Sequence, residues 1–432
     1  MKDLMKHQNR TGNHTFFFTA GRYDFRKYTY SISYKRGNIT FIELVNSPNP
    51  SEPHCYRTNP YQHCTDLKIE KVTLEIIDKY KPDIVHIHDL RMHCARIIEI
   101  IRKMNIPIVK TIHNYWDLCP KTDLLYQNNH PCHDIRNGEA CIKCLTMFSD
   151  STIKSGLRLV GSFRNDFIMS SLNSISSLKN SISTPDNQSH SYPVKYSSSS
   201  YSARRKFFVE MLNKCDVIHV PSKSTANRLM EFKVESSKIK TIPISISSLD
   251  DIVPKKPKTP GQPINFGYRG ALHIRKGIQV LLEAATKFSE QECQLLIFGN
   301  GNLSLLQPYI KKFKNIIYRG SYKQNDVNLV LSQIDVGIIP SICEETFGIT
   351  GLECIKAKIP IIASDIGGFS EWLVPKRNGF LFKPGDVNDL VKCMRTFIEK
   401  PEMIQQMADT MNSWKSSEQH AQEIQDIYRS FM

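Results

Sequence analysis

The chain has 432 residues, 40% of them hydrophobic and 23% charged, with a formal net charge of +15. That length exceeds one ordinary core and fits two domains; no apolar run approaches the roughly 18–20 residues that span a bilayer, and the polar stretch Met1–Thr15 lacks a signal-peptide core, so a cytoplasmic setting is expected. The positive balance calls for an anionic partner, and without an arginine-rich run a phosphate-bearing substrate or an anionic membrane surface fits better than nucleic acid.

In chain order, Phe16–Gly21 reads as a strand. Nothing before it supplies the strand and Gly-rich turn that usually open a doubly wound sheet, so the N-terminal domain is expected to lack its first strand. Pro82–His88, Ile106–Ile112 and Val217–Ser222 are short β-branched runs, with a helical stretch at Met92–Met104. Strand, helix and strand in sequence predict a right-handed parallel α/β sheet. Residues 169–202, dominated by Ser and Asn and ending in Ser197–Ser200, predict a mobile insertion. The alternative is a membrane- or acceptor-facing loop, since Arg164, Lys179, Lys195, Arg204 and Arg205 flank it. Asp250–Pro263, rich in Pro and Lys, reads as a hinge. The second half repeats the pattern: strand Ile264–Tyr268, helix Ile278–Phe288, then strands Gln294–Gly299, Val336–Pro340 and Ile359–Ala363.

Ligands of open α/β sheets bind outside the carboxyl ends of the strands, and three segments place reactive side chains there. In Glu345-Thr346-Phe347-Gly348-Ile349-Thr350-Gly351-Leu352-Glu353, seven residues separate two carboxylates. Gly348 lets backbone approach a ligand, and a helix starting near Ile349 offers N–H groups to a phosphate. Two surface glutamates on a helix are the plain alternative. In Gly270-Ala271-Leu272-His273-Ile274-Arg275-Lys276-Gly277, two cations follow a strand end and suit a diphosphate, or merely make a basic turn. His113 follows Ile106–Ile112 and is placed either to bond a sugar hydroxyl or to serve structure.

Of twelve cysteines, Cys94, Cys215, Cys293, Cys343, Cys354 and Cys393 sit in apolar contexts and read as core residues. Cys119, Cys132, Cys141 and Cys144 fall in one stretch after His113, with His130 and His133 nearby. Four thiolates close a tetrahedral structural zinc site; reduced thiols, disulfides or another metal are the other readings.

These segments together resemble the retaining GT-B glycosyltransferases of family 4. The resemblance is strongest over Asp335–Asp386, where the E-x7-E pair, "PIIASDIGG" and "NGFLFKPGD" follow in order, and it extends to "YRGALHIRKGIQVLLEA", "KPDIVHIH" and "PIVKTIHNYW". It implies two Rossmann-like domains facing across a cleft: 1–249 on the acceptor side, a linker at 250–263, 264–415 for the nucleotide sugar, and a helix at 416–432 returning to the first domain. By the same resemblance, Glu353 binds ribose, Glu345 lies beside the transferred sugar, and Gly348 and Ile349 offer N–H groups. Gly270, Arg275 and Lys276 meet the diphosphate, and His113 meets the donor sugar. The implied partners are a UDP- or GDP-linked sugar and a glycan or a polyprenyl- or other lipid-linked acceptor, with peripheral contact at the inner face of a membrane. No D-x-D sequence occurs, which fits a family that needs no metal for catalysis. Ala271 stands where the family often has Arg, and Pro243-Ile244-Ser245 replaces a Pro-Asn-Gly-like turn. A non-catalytic or truncated GT-B binding subunit and a nucleotide-sugar epimerase are the competing readings. An NAD-dependent oxidoreductase is disfavoured, because no G-x-G-x-x-G opens a helix after a strand.

Overall fold

The computed structural model describes residues 1–49, 59–127, 130–133, 136–145, 196–256 and 261–432. Strands β1 (Thr15–Arg22), β2 (Tyr30–Arg36) and β3 (Ile39–Val45) form a three-stranded sheet in the order β1-β3-β2. β1 and β3 are parallel, and β2 runs antiparallel to β3. Residues 16–21 are thus a strand as read, and the hairpin β2–β3 is an addition that the sequence did not signal. A second sheet of the N-terminal half contains β4 (Val85–Ile87), β5 (Ile108–Thr111), β8 (Val217–Val220) and β9 (Ile239–Thr241), all parallel. Between β5 and β8 lies a two-stranded ribbon of β6 (Leu125–Tyr126) and β7 (His130–Pro131).

Helix Leu67–Tyr80 shows how these layers close. Asp66 caps it by accepting from the Lys68 and Ile69 N–H groups, and Lys81 ends it in the left-handed conformation. Ile69, Val72, Thr73, Ile76 and Ile77 recur at helical spacing and face the core. Each fully buried aliphatic side chain of this kind contributes about 1.5–3 kcal/mol.

The C-terminal half is a six-stranded, wholly parallel sheet ordered β12-β11-β10-β13-β14-β15. Its strands are β10 (Ile264–Arg269), β11 (Cys293–Phe298), β12 (Ile316–Gly320), β13 (Val336–Ile339), β14 (Ile361–Ser364) and β15 (Gly379–Phe382). The strand order reverses direction between β10 and β13, which makes their carboxyl ends the crevice where such sheets bind ligands. The expectation of two Rossmann-like domains with parallel sheets holds.

Helix Ser417–Arg429 begins at a capping box of Ser416 and Gln419, and its Ile424, Ile427 and Tyr428 pack with Val109 and Ile242 of the N-terminal half. The segment read as a hinge is anchored at two points before residue 257: Ile252 joins the C-terminal core, and the Lys255 ammonium reaches Asp335 at 2.5 Å. Residues 257–260 lie outside the described residues, as do residues 169–195 of the Ser-rich insertion, Arg164, Lys179 and Lys195.

The other end of that insertion needs correction. Ser198 opens a helix that runs to Asn213, because Tyr201, Phe208, Met211 and Leu212 give it a core face. Arg204 and Arg205 do not face a membrane. Arg204 is fully buried over the Trp116 and Phe208 rings and donates to His63 Nδ1 at 3.0 Å and the Trp116 carbonyl at 2.9 Å. Arg205 donates to the Leu118 carbonyl at 2.7 Å. Among the described residues no helix is long and apolar enough to cross a membrane.

Candidate active site

The turn after β10 and the turn after β13 meet at the reversal point. Gly277 sits at φ +70°, where a Cβ would stand 1.7 Å from the Pro340 carbonyl oxygen, so only glycine lets the two turns touch. This contact brings Lys276 to Glu345, where they form an ion pair, and the Ser341 hydroxyl donates to the same carboxylate oxygen at 2.9 Å. Beyond Glu345 the chain turns at Gly348, φ +81°, into helix Ile349–Lys356. No side chain caps that helix, and a Cβ on Gly348 would lie 2.3 Å from the Phe369 ring. Ile349 therefore stands in the uncapped first turn.

Glu353 lies one turn deeper and is buried. Its carboxylate accepts from Arg269 Nη2 at 2.5 Å, and the same nitrogen reaches the Thr350 carbonyl at 3.1 Å. The other terminal nitrogen of Arg269 is buried without a partner. Sequence reasoning overlooked Arg269, although it ends β10 one position before Gly270. The backbone of Gly270 bonds the Phe298 carbonyl at 3.1 Å, and the Tyr268 hydroxyl donates to the carbonyl of Ala271 at 2.6 Å. Arg275 points the other way: its Nη1 lies 3.9 Å from Asp123 of the N-terminal half, and its Nε is buried without a partner.

His113 enters from the opposite domain. Its carbonyl accepts from Thr346 Oγ1 at 3.0 Å, and its Nε2 lies 2.9 Å from His88 Nδ1. The residue is exposed to the cleft, with its ring stacked on that of His88. Desolvation by the surrounding protein, with the positive charge of Lys110 second, lowers its pKa to about 4, so His113 is neutral at pH 7 and both donates and accepts. Further residues lock the two halves here. The Ser222 hydroxyl caps helix Lys223–Glu231 by accepting from the Thr225 N–H and donates to the Thr346 carbonyl at 2.8 Å. Arg228 Nε donates to Glu344 at 2.9 Å, and Arg228 Nη1 donates to His133 Nδ1 at 2.7 Å. The S-x-x-T start of that helix and the adjacency of Glu344 to Glu345 were the available signals for these residues.

Cys119, Cys141 and Cys144 are free thiols. Burial raises the pKa of Cys119 to about 11 and that of Cys141 to about 12, and the Lys121 ammonium donates to the Cys144 sulfur at 3.5 Å. Among the described residues no group of three or more His, Cys, Asp or Glu side chains is gathered to hold a metal ion. Cys141 and Cys144 share helix Glu139–Cys144, and Cys132 directly follows β7, its N–H on the Leu124 carbonyl at 2.6 Å.

Residues 1–138 match the family model described as Glycosyltransferase Family 4, and residues 250–414 that described as Glycosyl transferases group 1. The chain is 26% identical over 143 residues to a sulfoquinovosyl transferase of Arabidopsis thaliana. That match takes in 31% of this chain and only 26% of the relative's length. Among solved structures, sucrose-phosphate synthase from Thermosynechococcus elongatus superposes with a TM-score of 0.65 at 17% identity, over 99% of this chain and 92% of that one. Anabaena HepE, crystallised with UDP and glucose, does so with a TM-score of 0.53 at 13% identity, over 83% of this chain and 81% of that one. In chain order, then, a segment that matches a glycosyltransferase family 4 model precedes one that matches a group 1 glycosyltransferase model, and the two Rossmann-like domains have the GT-B fold.

Proposed function

We propose that the chain is a hexosyltransferase-type enzyme. It moves a sugar from a nucleotide sugar, held at the carboxyl edge of the C-terminal sheet, to a glycan or lipid-linked acceptor presented by the N-terminal domain. One observation carries this reading: Lys276 and Glu345 pair at the reversal point of the six-stranded sheet, directly joined through Thr346 to His113 of the facing domain. A cation for a leaving diphosphate, a carboxylate beside it and a neutral imidazole opposite are the groups that glycosyl transfer needs. Lys276 supplies the preorganised positive charge, and the uncapped N-terminus of helix Ile349–Lys356 adds its dipole. Glu353 takes the ribose hydroxyls, sharing its carboxylate with Arg269. The resemblance of the motif set supports retention of anomeric configuration, and HepE, a structural neighbour, was solved with UDP. The +15 charge supports a meeting with acceptor at the anionic inner face of a membrane.

The test is calorimetric titration of the full chain with UDP, GDP and ADP and their glucose conjugates, beside Glu353→Gln. Glutamine keeps the shape and one hydrogen bond to Arg269. One nucleotide is expected to bind, with at least about tenfold weaker binding in the variant, the loss of a charge-assisted hydrogen bond. A folded chain that binds none of them overturns the reading.

A further inference from the structure

The parallel sheet of the N-terminal half ends in a set of imidazoles: His86 in β4, His88 just past it, His113 two residues past β5, and His219 in β8. Their hydrogen bonds fix the tautomers in order. His219 Nε2 lies 2.8 Å from the Ile242 carbonyl, which only accepts, so this nitrogen carries the proton. Burial lowers the His219 pKa to about 4, so its Nδ1 is a lone pair and accepts from the Thr111 hydroxyl at 3.0 Å. The Thr111 oxygen in turn accepts from His86 Nε2 at 2.7 Å. His86 is also neutral, driven well below the usual histidine range chiefly by burial, and its Nδ1 therefore accepts from the Tyr428 hydroxyl of the C-terminal helix. Turning His86 would break bonds at both of its nitrogens, so its ring is held.

That held ring is the base of a stack. His88 lies on His86 with ring centres 4.1 Å apart and planes 28° apart. His113 lies on His88 at 5.2 Å and 18°. His88 Nδ1 and His113 Nε2, 2.9 Å apart, share a single proton, because burial keeps both rings neutral. The main chain of His113 is tied separately, through its carbonyl to Thr346.

We propose that His88 is a positioning residue for the transfer reaction: it occupies Nε2 of His113 and so makes Nδ1 the ring nitrogen that meets the sugar of a nucleotide-sugar donor. The inference rests on the donor-site reading above for its substrate, but the bond between the rings does not depend on it. His88 acts through His113 and needs no contact with the sugar itself. The Tyr428–His86 pair carries the same constraint back to the C-terminal helix, so the far end of the chain sets the rigidity of the cleft wall.

The experiment uses the full chain labelled with 15N-histidine, in wild type, His113→Ala (to assign the His113 signals), His88→Phe and His88→Asn. Phenylalanine keeps the stack and removes the nitrogen; asparagine returns a donor and an acceptor near its place. In wild type the His113 ring is expected to show one tautomer. In His88→Phe its two ring nitrogens move towards the averaged shifts of a free imidazole. UDP binding is expected to stay within about twofold, because the nucleotide contacts lie in the other domain. Hydrolysis of whichever UDP-, GDP- or ADP-linked sugar binds is expected to fall about tenfold in kcat, the worth of one positioning hydrogen bond, with KM little changed. His88→Asn is expected to recover part of that loss. Unchanged His113 shifts in His88→Phe, or equal loss in the Phe and Asn variants, overturns the proposal. If His88→Phe does not fold, the Asn variant decides by whether its His113 signals keep one tautomer. Failure of every nucleotide sugar to bind wild type strikes the donor-site reading alone, since the tautomer comparison is read without ligand.

Discussion

Glu345 and Glu353 carry similar charges in different surroundings, and that difference predicts different outcomes on removal. The Glu345 side chain is 21% exposed and its partner Lys276 is 29% exposed, so water screens the pair. Glu345→Gln is expected to leave stability within about 1 kcal/mol, as for a surface ion pair. Its cost falls on catalysis: with Lys276 no longer held beside the reacting sugar, donor hydrolysis is expected to drop about 100-fold, the scale of one electrostatic contact at a transition state. Steady-state rates beside a urea melt check both halves, and a large stability loss with normal rates would contradict them. Glu353 pairs with Arg269 where the side chains are only 8% and 2% exposed. Glu353→Ala strands a guanidinium whose Nη1 already lacks a partner, and is expected to cost about 3–5 kcal/mol. The restoring double variant Glu353→Ala with Arg269→Met is expected to regain much of the stability but not nucleotide binding. Equal melts for the single and double variants would refute that account.

At the level of elements, the N-terminal strands end in histidines that the fold keeps uncharged. Burial lowers the pKa of His93, His113 and His219 to about 4 and that of His420 to about 3, and drives His86 and His88 well below the usual value of 6.5. The unfolded chain binds protons near pH 6.5 while the folded chain does not, so the unfolded state holds more protons between about 6.5 and 4. Stability therefore rises with pH across that window: it is fully present above about 7 and lost progressively as the pH falls from about 6.5. The urea midpoint is expected to be lower at pH 5 than at pH 7.5; a midpoint equal at pH 5 and 7.5 would remove this account. Much of this architecture was legible. Ile361–Ser364 and Val336–Ile339 are β-branched runs between turns, and a buried parallel strand has few other ways to look. The Gly270–Gly277 and Glu345–Glu353 blocks were legible because each is local in sequence. Helix Ser198–Asn213 was not, because its first turn is serine and only tertiary burial of Tyr201 and Phe208 overrides that composition. Arg269 was passed over since a cation ending a strand has no visible partner until Glu353, 84 positions on, folds against it.

The two halves of the molecule meet at the same segment that carries the chemistry. Arg228 holds Glu344 through two nitrogens, with side-chain exposures of 6% and 9%, while its third meets His133. The partners are 116 positions apart and neither belongs to a hydrophobic cluster, so the pair contributes to the fit between the domains rather than to either core. A buried pair is shielded from salt, and removing one member leaves the other charge desolvated at a cost of about 3–5 kcal/mol. That penalty is relieved when the cleft opens and water reaches Glu344. Opening also parts Thr346 from His113 and Ser222 from Thr346, which dismantles the facing surfaces of the site. Arg228→Ala is therefore expected to leave the melting of each domain nearly unchanged while enlarging the radius of gyration. Hydrogen exchange should rise in residues 222–231 and 341–348, and the KM for donor should rise about tenfold. Glu344→Ala alone is expected to do the same, and the double variant no more than either. The resulting coupling energy is expected to reach at least about 1.5 kcal/mol, as for other close buried charge pairs. Additive single effects, or exchange that rises evenly over the whole chain, would show that the pair stabilises a domain and does not hold the cleft closed.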